Sequence, residues 1–232
     1  MLKRFINLMF VVGVVVALAT GANAATMSLE GGTAGTIPGG ATNNFISSGL
    51  FPGPIGGYFG SQIRIDGLDA APWTLEFFGA EAGYHNEFNW YGSEYFDHPG
   101  GTIIAPNLAL PLGTFSGFIS GSGPLLFSFD VNSDSGSVAN GSNPNDSGGA
   151  AHGPNFFVSF NPFTSTAGSG GTAGNVLYIF LDDGGAGPDD NHDDFLVRLT
   201  IQPSPVPEPG TMMLLGSGLV GLAGYGRKKF KK

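Results

Sequence analysis

Turn-forming residues limit what this chain can fold into. Glycine, proline, serine and asparagine interrupt it roughly every 8–12 residues between residues 25 and 202, and no segment there keeps an apolar period of 3.6 residues. Between turns the chain alternates: Phe127 and Phe129 fall on one side of an extended segment, and Ser128 and Asp130 on the other. Residues 176–181 are apolar throughout, which indicates a central strand covered on both faces. We therefore predict an all-β fold, a single antiparallel β-sandwich of jelly-roll-like type, over residues 25–202.

The first 24 residues have the composition of an export signal. Lys3 and Arg4 precede an apolar run over residues 5–19, and Ala22 and Ala24 form the small-x-small pattern that signal peptidase recognises. We expect residues 1–24 to be a helical signal peptide that is cut between Ala24 and Ala25. A retained N-terminal anchor is the alternative, and the short apolar run disfavours it.

Residues 203–232 form a second segment unlike the rest. A proline-rich spacer ends in Val206, Pro207, Glu208 and Pro209, and an apolar run with several glycines follows over residues 212–225. The basic residues that close the chain are Arg227, Lys228, Lys229, Lys231 and Lys232. The run is shorter than the ~20 apolar residues of a comfortable membrane helix. We predict a marginal transmembrane helix at the C-terminus, with its positive end held in the cytoplasm.

This order of proline-rich motif, apolar helix and basic end resembles the PEP-CTERM sorting signal, a tail also called the ice-binding protein C-terminal domain. The resemblance implies export across the inner membrane of a Gram-negative bacterium and transient anchoring there. It further implies that an exosortase cuts near Pro207, Glu208 and Pro209, so that the rest reaches the cell surface or the medium. A plain C-terminal anchor with a proline-rich spacer is the alternative.

The exported part is strongly acidic and has no cysteine. Two arginines, Arg64 and Arg198, face 17 Asp and Glu between residues 25 and 207, a formal charge of −15. Nucleic acid needs cationic contacts, so it is excluded as a partner. The absence of cysteine excludes disulfides, thiol catalysis and thiolate metal sites.

The densest polar group is an Asp-rich segment between two strongly apolar stretches that we expect to pair as a hairpin. The candidate metal ligands in it are Asp182, Asp183, Asp189, Asp190, Asn191, Asp193 and Asp194. So many carboxylates repel one another, and a Ca²⁺ ion with 6–8 oxygen ligands would relieve the repulsion. His192 is expected outside the ligand set, because no other nitrogen or sulfur ligand accompanies it. The alternative is a solvated turn without metal.

A second stretch combines aromatic and acidic residues over residues 73–96. Trp90 and Tyr91 are candidate ligand-binding residues, since adjacent aromatic faces can stack on a sugar ring, whereas Trp73 is expected in the core. The glutamates of this stretch could serve a glycosidase only if two of them lie roughly 5–10 Å apart. The chain has no Gly-x-Ser-x-Gly, His-Glu-x-x-His or phosphate-binding glycine loop, and we predict no enzymatic activity.

The function predicted from these features is that of a non-enzymatic protein of the cell surface or extracellular matrix, stabilised by Ca²⁺. Its partners would be signal peptidase and exosortase during export. The alternatives are a carbohydrate-binding module for exopolysaccharide and a glycan-active hydrolase.

Overall fold

A computed structural model describes residues 25–39, 42–67, 70–131, 136–146, 153–184, 190–203 and 209–229. These residues form sixteen strands and two helices. The strands are β1 (Thr26–Glu30), β2 (Thr33–Ile37), β3 (Ile55–Phe59), β4 (Gln62–Asp66), β5 (Ala71–Ala82), β6 (Asn86–Trp90), β7 (Ser93–His98), β8 (Gly101–Ile104), β9 (Gly113–Ile119), β10 (Gly123–Pro124), β11 (Phe127–Val131), β12 (Gly136–Ala139), β13 (Asn155–Ser159), β14 (Ala173–Gly174), β15 (Val176–Asp182) and β16 (Phe195–Ile201). The helices are α1 (Asn44–Ser47) and α2 (Pro209–Lys229).

All paired strands within these ranges run antiparallel, in three sheets. The largest has eight strands in the order β2-β3-β13-β15-β16-β5-β8, with β9 also paired to β5. The two smaller sheets have four strands each, in the orders β10-β4-β1-β14 and β12-β11-β6-β7. The prediction of an all-β antiparallel fold is confirmed.

The core lies on both faces of the eight-stranded sheet. Alternate residues of β15 belong to different apolar clusters: Leu177 and Ile179 pack in one, and Tyr178 and Phe180 in the other. The first cluster also takes in residues of both four-stranded sheets, whereas the second includes Phe45 of α1. Successive side chains of a strand point to opposite faces, so an uninterrupted apolar strand needs cover on both sides. The prediction of a doubly covered central strand at residues 176–181 is confirmed.

β15 and β16 pair along their length, from Val176 opposite Thr200 to Leu181 opposite Phe195. The expected hairpin is therefore present, and the Asp-rich segment forms the connection at its tip. This places the acidic residues at one end of the two central strands of the largest sheet.

The two ends of the domain are joined by one side chain. Asn175 Nδ2 donates to the carbonyl of Ala25 at 2.9 Å and to the carbonyl of Ile201 at 3.1 Å. Ile201 N in turn donates to Asn175 O at 2.8 Å. The start of β1 and the end of β16 are thus held side by side.

The chain divides into two compact units, of which one is residues 25–204 and the other contains α2. The described side chains of α2 are mostly exposed. Within the described ranges, no helix combines the length and the apolar character needed to cross a bilayer. The predicted transmembrane helix is therefore not supported: the C-terminal helix forms, but Gly216, Ser217 and Gly218 dilute its apolar residues.

Candidate metal centre

The described residues at the tip of the β15–β16 hairpin are mostly buried. Asp182 is 1 % exposed and Asp193 is fully buried, and Asp183, Asp190 and Asp194 are also buried. Asn191 is buried with them, and Asp189 lies outside the described residues. The described carboxylates are therefore not the solvated groups that the alternative of a solvated turn expects.

The tip is enclosed by the segment that leads into α1. Asn43, the N-cap of α1, donates from Nδ2 to Asn191 O at 2.7 Å, while its Oδ1 accepts from Ile46 N. The next residue, Asn44, donates its backbone N–H to the Asp193 carboxylate. The N-terminus of α1 therefore forms hydrogen bonds with both the backbone and a carboxylate of the Asp-rich connection.

Gly39 closes the tip from another side. Its backbone N donates to Asp190 O at 3.1 Å. A Cβ at this position would overlap Asp190 Oδ2 and lie 3.0 Å from Asp190 Cγ. Only a residue without a side chain leaves room for the Asp190 carboxylate in its present place.

One part of the site offers only oxygen atoms as possible metal ligands. Asp183 Oδ2 accepts from Asn86 Nδ2 at 2.7 Å, and Asp194 Oδ2 accepts from Asp183 N at 2.8 Å. Carboxylate oxygens of Glu81, Asp193 and Asp194 lie within 4.8 Å of one another, and the Asp183 carboxylate interacts with that of Asp194. We call these four residues the oxygen-only group. Burial, and after it the neighbouring carboxylate of Asp183, raise the pKa of Asp194 to about 9, although the hydrogen bond from the backbone of Asp183 acts in the opposite direction. Without a cation, the Asp194 carboxyl therefore keeps its proton at neutral pH.

A second part adds an imidazole to the carboxylates. One ligand atom from each of Asp146, Asp182, Asp190 and His192 lies within 4.8 Å of the others, and all four residues are buried. His192 Nδ1 is 3.4 Å from Asp190 Oδ1 and 3.9 Å from Asp182 Oδ2. The other ring nitrogen, Nε2, is 2.8 Å from Asn155 Oδ1. We call these four residues the mixed cluster.

Two members of the mixed cluster could not be found from sequence patterns. Asp146 lies within a low-complexity stretch, and no periodicity marks it. The nearby Asn143 attaches this segment to β13. Its side chain accepts from Phe156 N at 2.9 Å and donates to Phe156 O at 2.7 Å, as a neighbouring strand would. His192, expected outside the ligand set, instead lies fully buried with a ring nitrogen facing Asp182 and Asp190.

The two aromatic candidates for ligand binding, Trp90 and Tyr91, differ in their exposure. Trp90 is 2 % exposed and packs edge-on against Trp73 in the core, so it cannot offer a ring face to a sugar. The ligand-binding prediction for Trp90 fails because the residue ends β6 pointing inward. Tyr91 follows it at a φ of 50°, is 45 % exposed, and stays a candidate.

The glutamates predicted as hydrolase candidates include one with a structural partner. Glu76 accepts two hydrogen bonds from Arg198, at 2.7 and 2.8 Å, across the β5–β16 pair. The Glu76 carboxylate is therefore engaged within the sheet.

The sorting residues are in part described. Pro209, Arg227, Lys228 and Lys229 lie in α2, and Arg227 is exposed. Residues 206–208, like Ala22 and Ala24 of the predicted signal cleavage site, lie outside the described residues; Ala25 is buried at the start of the domain.

Comparison with known proteins assigns the C-terminal segment. Residues 205–228 match the family model of the PEP-CTERM protein-sorting motif. No curated protein and no solved structure matches the chain. The chain carries a PEP-CTERM sorting signal and is an exported protein sorted by an exosortase.

Proposed function

We propose that this chain is the precursor of a non-enzymatic protein of the cell surface or extracellular matrix in a Gram-negative bacterium. Signal peptidase removes the leader, and an exosortase cuts near residues 207–209. The match of the sorting motif at residues 205–228 carries this proposal. The acidic composition of residues 25–207 supports it, because a highly charged surface keeps an exported domain soluble.

Mass spectrometry of the mature protein from its native cells tests the processing. We expect an N-terminus at Ala25 and a C-terminus between residues 206 and 210. Glu208→Ala should leave the tail attached, whereas Glu94→Ala, an exposed glutamate of β7, should be processed like the wild type. Equal processing of the Glu208→Ala variant and the wild type would refute the assignment of the cut site.

We also propose that the exported domain binds a stabilising divalent cation at the tip of the β15–β16 hairpin. The burial of Asp182, Asp183, Asp190, Asp193 and Asp194 supports this, since buried carboxylates repel one another unless a proton or cation compensates. Ca²⁺ stays the prediction for the oxygen-only group with Asp183 and Asp194.

Thermal unfolding tests this part. A chelator should lower the Tm and Ca²⁺ should restore it. Asp183→Asn should weaken the response to Ca²⁺, whereas Asp66→Asn, an exposed carboxylate at the end of β4, should not. A Tm unchanged by chelation would count against any stabilising cation.

Carbohydrate binding is a second candidate function, now without Trp90. A surface depression of about 450 Å³ is lined by Asn89, Ser128 and Asp130, whose amide, hydroxyl and carboxylate groups suit sugar hydroxyls. Gly92, which follows the exposed Tyr91, also lines it. Loss of exopolysaccharide binding in Tyr91→Ala, with Tyr84→Ala as an exposed control, would favour this function; a protein that binds no glycan at all would remove it.

A further inference from the structure

We propose that the mixed cluster binds a first-row divalent transition-metal ion, with His192 Nδ1 as a direct ligand beside the carboxylates of Asp146, Asp182 and Asp190. The inference deepens the cation proposal above by naming one site and its class of ion. It does not depend on the oxygen-only group or on sorting.

The hydrogen bonding of His192 indicates which ring nitrogen is available. Nε2 faces the carbonyl oxygen of the Asn155 side chain at 2.8 Å, and this contact holds the proton on Nε2. Nδ1 then carries the lone pair in the neutral ring. It has no hydrogen-bond partner among the described residues, and His192 is fully buried.

The surroundings of Nδ1 are those of a ligand atom. The nitrogen faces oxygen atoms of Asp190 and Asp182 at 3.4 and 3.9 Å. A lone pair opposite two carboxylates is repulsive unless a proton or a metal cation lies between them. Histidines that bind metals usually donate their other N–H to a fixed acceptor, which orients the ring, and Asn155 Oδ1 has that place here.

The ring is held in this direction by its backbone and by two phenylalanines. His192 has a φ of 57°, in the left-handed region that residues with a side chain seldom adopt. Phe59 and Phe157 pack edge-on against the imidazole, with ring centroids 5.4 and 6.1 Å away. The ring can therefore neither turn toward solvent nor exchange its two nitrogens without moving the core.

The ligand set favours a transition metal over Ca²⁺. Ca²⁺ takes 6–8 oxygen ligands, whereas an imidazole with carboxylates suits Zn²⁺, Mn²⁺ and related ions. Two ligands about 2.1 Å from one tetrahedral ion lie about 3.4 Å apart. The separation of His192 Nδ1 and Asp190 Oδ1 is 3.4 Å.

An ion in the mixed cluster would join distant parts of the chain. Asp182 ends β15, Asp190 and His192 precede β16, and Asp146 precedes β13. β13 and β16 are the two neighbours of β15 in the largest sheet. Metal binding should therefore stabilise the centre of the domain.

The test uses the full chain, purified in detergent. Its metal content is measured by mass spectrometry, the chelated protein is titrated separately with Zn²⁺, Mn²⁺ and Ca²⁺, and each titration is followed by calorimetry. We expect one site that binds Zn²⁺ or Mn²⁺ more tightly than Ca²⁺. His192→Gln should weaken binding at this site by at least about tenfold. The matched control is His98→Gln, which removes another buried histidine, one whose Nε2 lies 3.1 Å from the carbonyl oxygen of Gly101.

A second measurement does not need the variant to fold. In the Mn²⁺-loaded wild type, pulsed electron paramagnetic resonance should show coupling to one histidine nitrogen. Binding of Ca²⁺ alone, or of Mn²⁺ without nitrogen coupling, would overturn this inference while leaving cation stabilisation intact. Failure to bind any ion would overturn both cation proposals. Nitrogen NMR that showed both ring nitrogens of His192 protonated would then mean that an imidazolium pairs with Asp190. None of these outcomes bears on the mature termini, which test sorting separately.

Discussion

Substitution of Gly39 by alanine tests the geometry of the mixed cluster without touching a ligand. The new Cβ would lie 3.0 Å from Asp190 Cγ, closer than the ordinary contact distance of roughly 3.5–4.0 Å, and would overlap Oδ2. The obstacle is the end of a side chain, so Asp190 can turn away. We expect Gly39→Ala to cost about 1 kcal/mol in the metal-free protein, at the low end for overpacking.

The larger effect should be on the metal-bound state. A cation at 100 times its Kd stabilises the fold by about 2.7 kcal/mol. If displacement of the Asp190 carboxylate raises the Kd about 100-fold, the same concentration stabilises by RT ln 2, about 0.4 kcal/mol. Gly39→Ala should therefore remove about 2.3 kcal/mol of metal-dependent stability.

Urea unfolding with and without Zn²⁺ measures both the cost in the metal-free protein and the loss of metal-dependent stability. Gly83→Ala is the control, because a methyl group added at Gly83 would meet no atom within 4 Å beyond its chain neighbours, and the φ of Gly83 is not positive. We expect it to change stability by less than about 0.5 kcal/mol under either condition. A Gly39→Ala protein that keeps the full metal-dependent increment would refute the placement of Asp190 in the site.

Three further experiments test the fold. Phe180→Ala, at a fully buried position of β15, should lower the free energy of unfolding by about 3–5 kcal/mol in urea; a loss below about 1 kcal/mol would contradict its place in the core. Trp90→Ala should cost a similar amount and Tyr91→Ala less than about 1 kcal/mol, as measured by thermal unfolding, whereas equal losses would contradict their different burial. A double-mutant cycle on Arg198 and Glu76, which form a two-bond pair, should give a coupling free energy of about 1–2 kcal/mol, and strict additivity would show that the pair is not formed.

The strands were predictable because their determinants are local. Alternation along residues 127–131 and the apolar run at residues 176–181 report how each strand is covered. The hairpin followed from two strong strands with a polar connection between them, and it identified most of the buried carboxylates. The division into three sheets was not predictable, because it depends on pairings such as β1 with β4 that no local pattern encodes.

The mixed cluster was predictable only in part, since its remaining members depend on tertiary contacts. Asp146 reaches it through the attachment of Asn143 to β13, and a side chain in a Ser/Asn/Gly stretch carries no sign of such an attachment. Trp90 was uncertain for a related reason: an aromatic residue at the end of a strand faces the core or the solvent according to the register, and β6 aligns it with Phe127 of β11 on the buried side.

The way β16 leaves the domain has a mechanical consequence. A pull on the chain beyond Ile201 that is directed along β16 would load a strand that is hydrogen-bonded to β15 on one side and to β5 on the other. Such a load shears two ladders at once, whereas a pull across the strands would open them one bond at a time. Asn175 adds hydrogen bonds at the loaded end of β16, because its side chain donates to the carbonyls of both Ala25 and Ile201. A force of this direction would therefore have to break both ladders before the core begins to open.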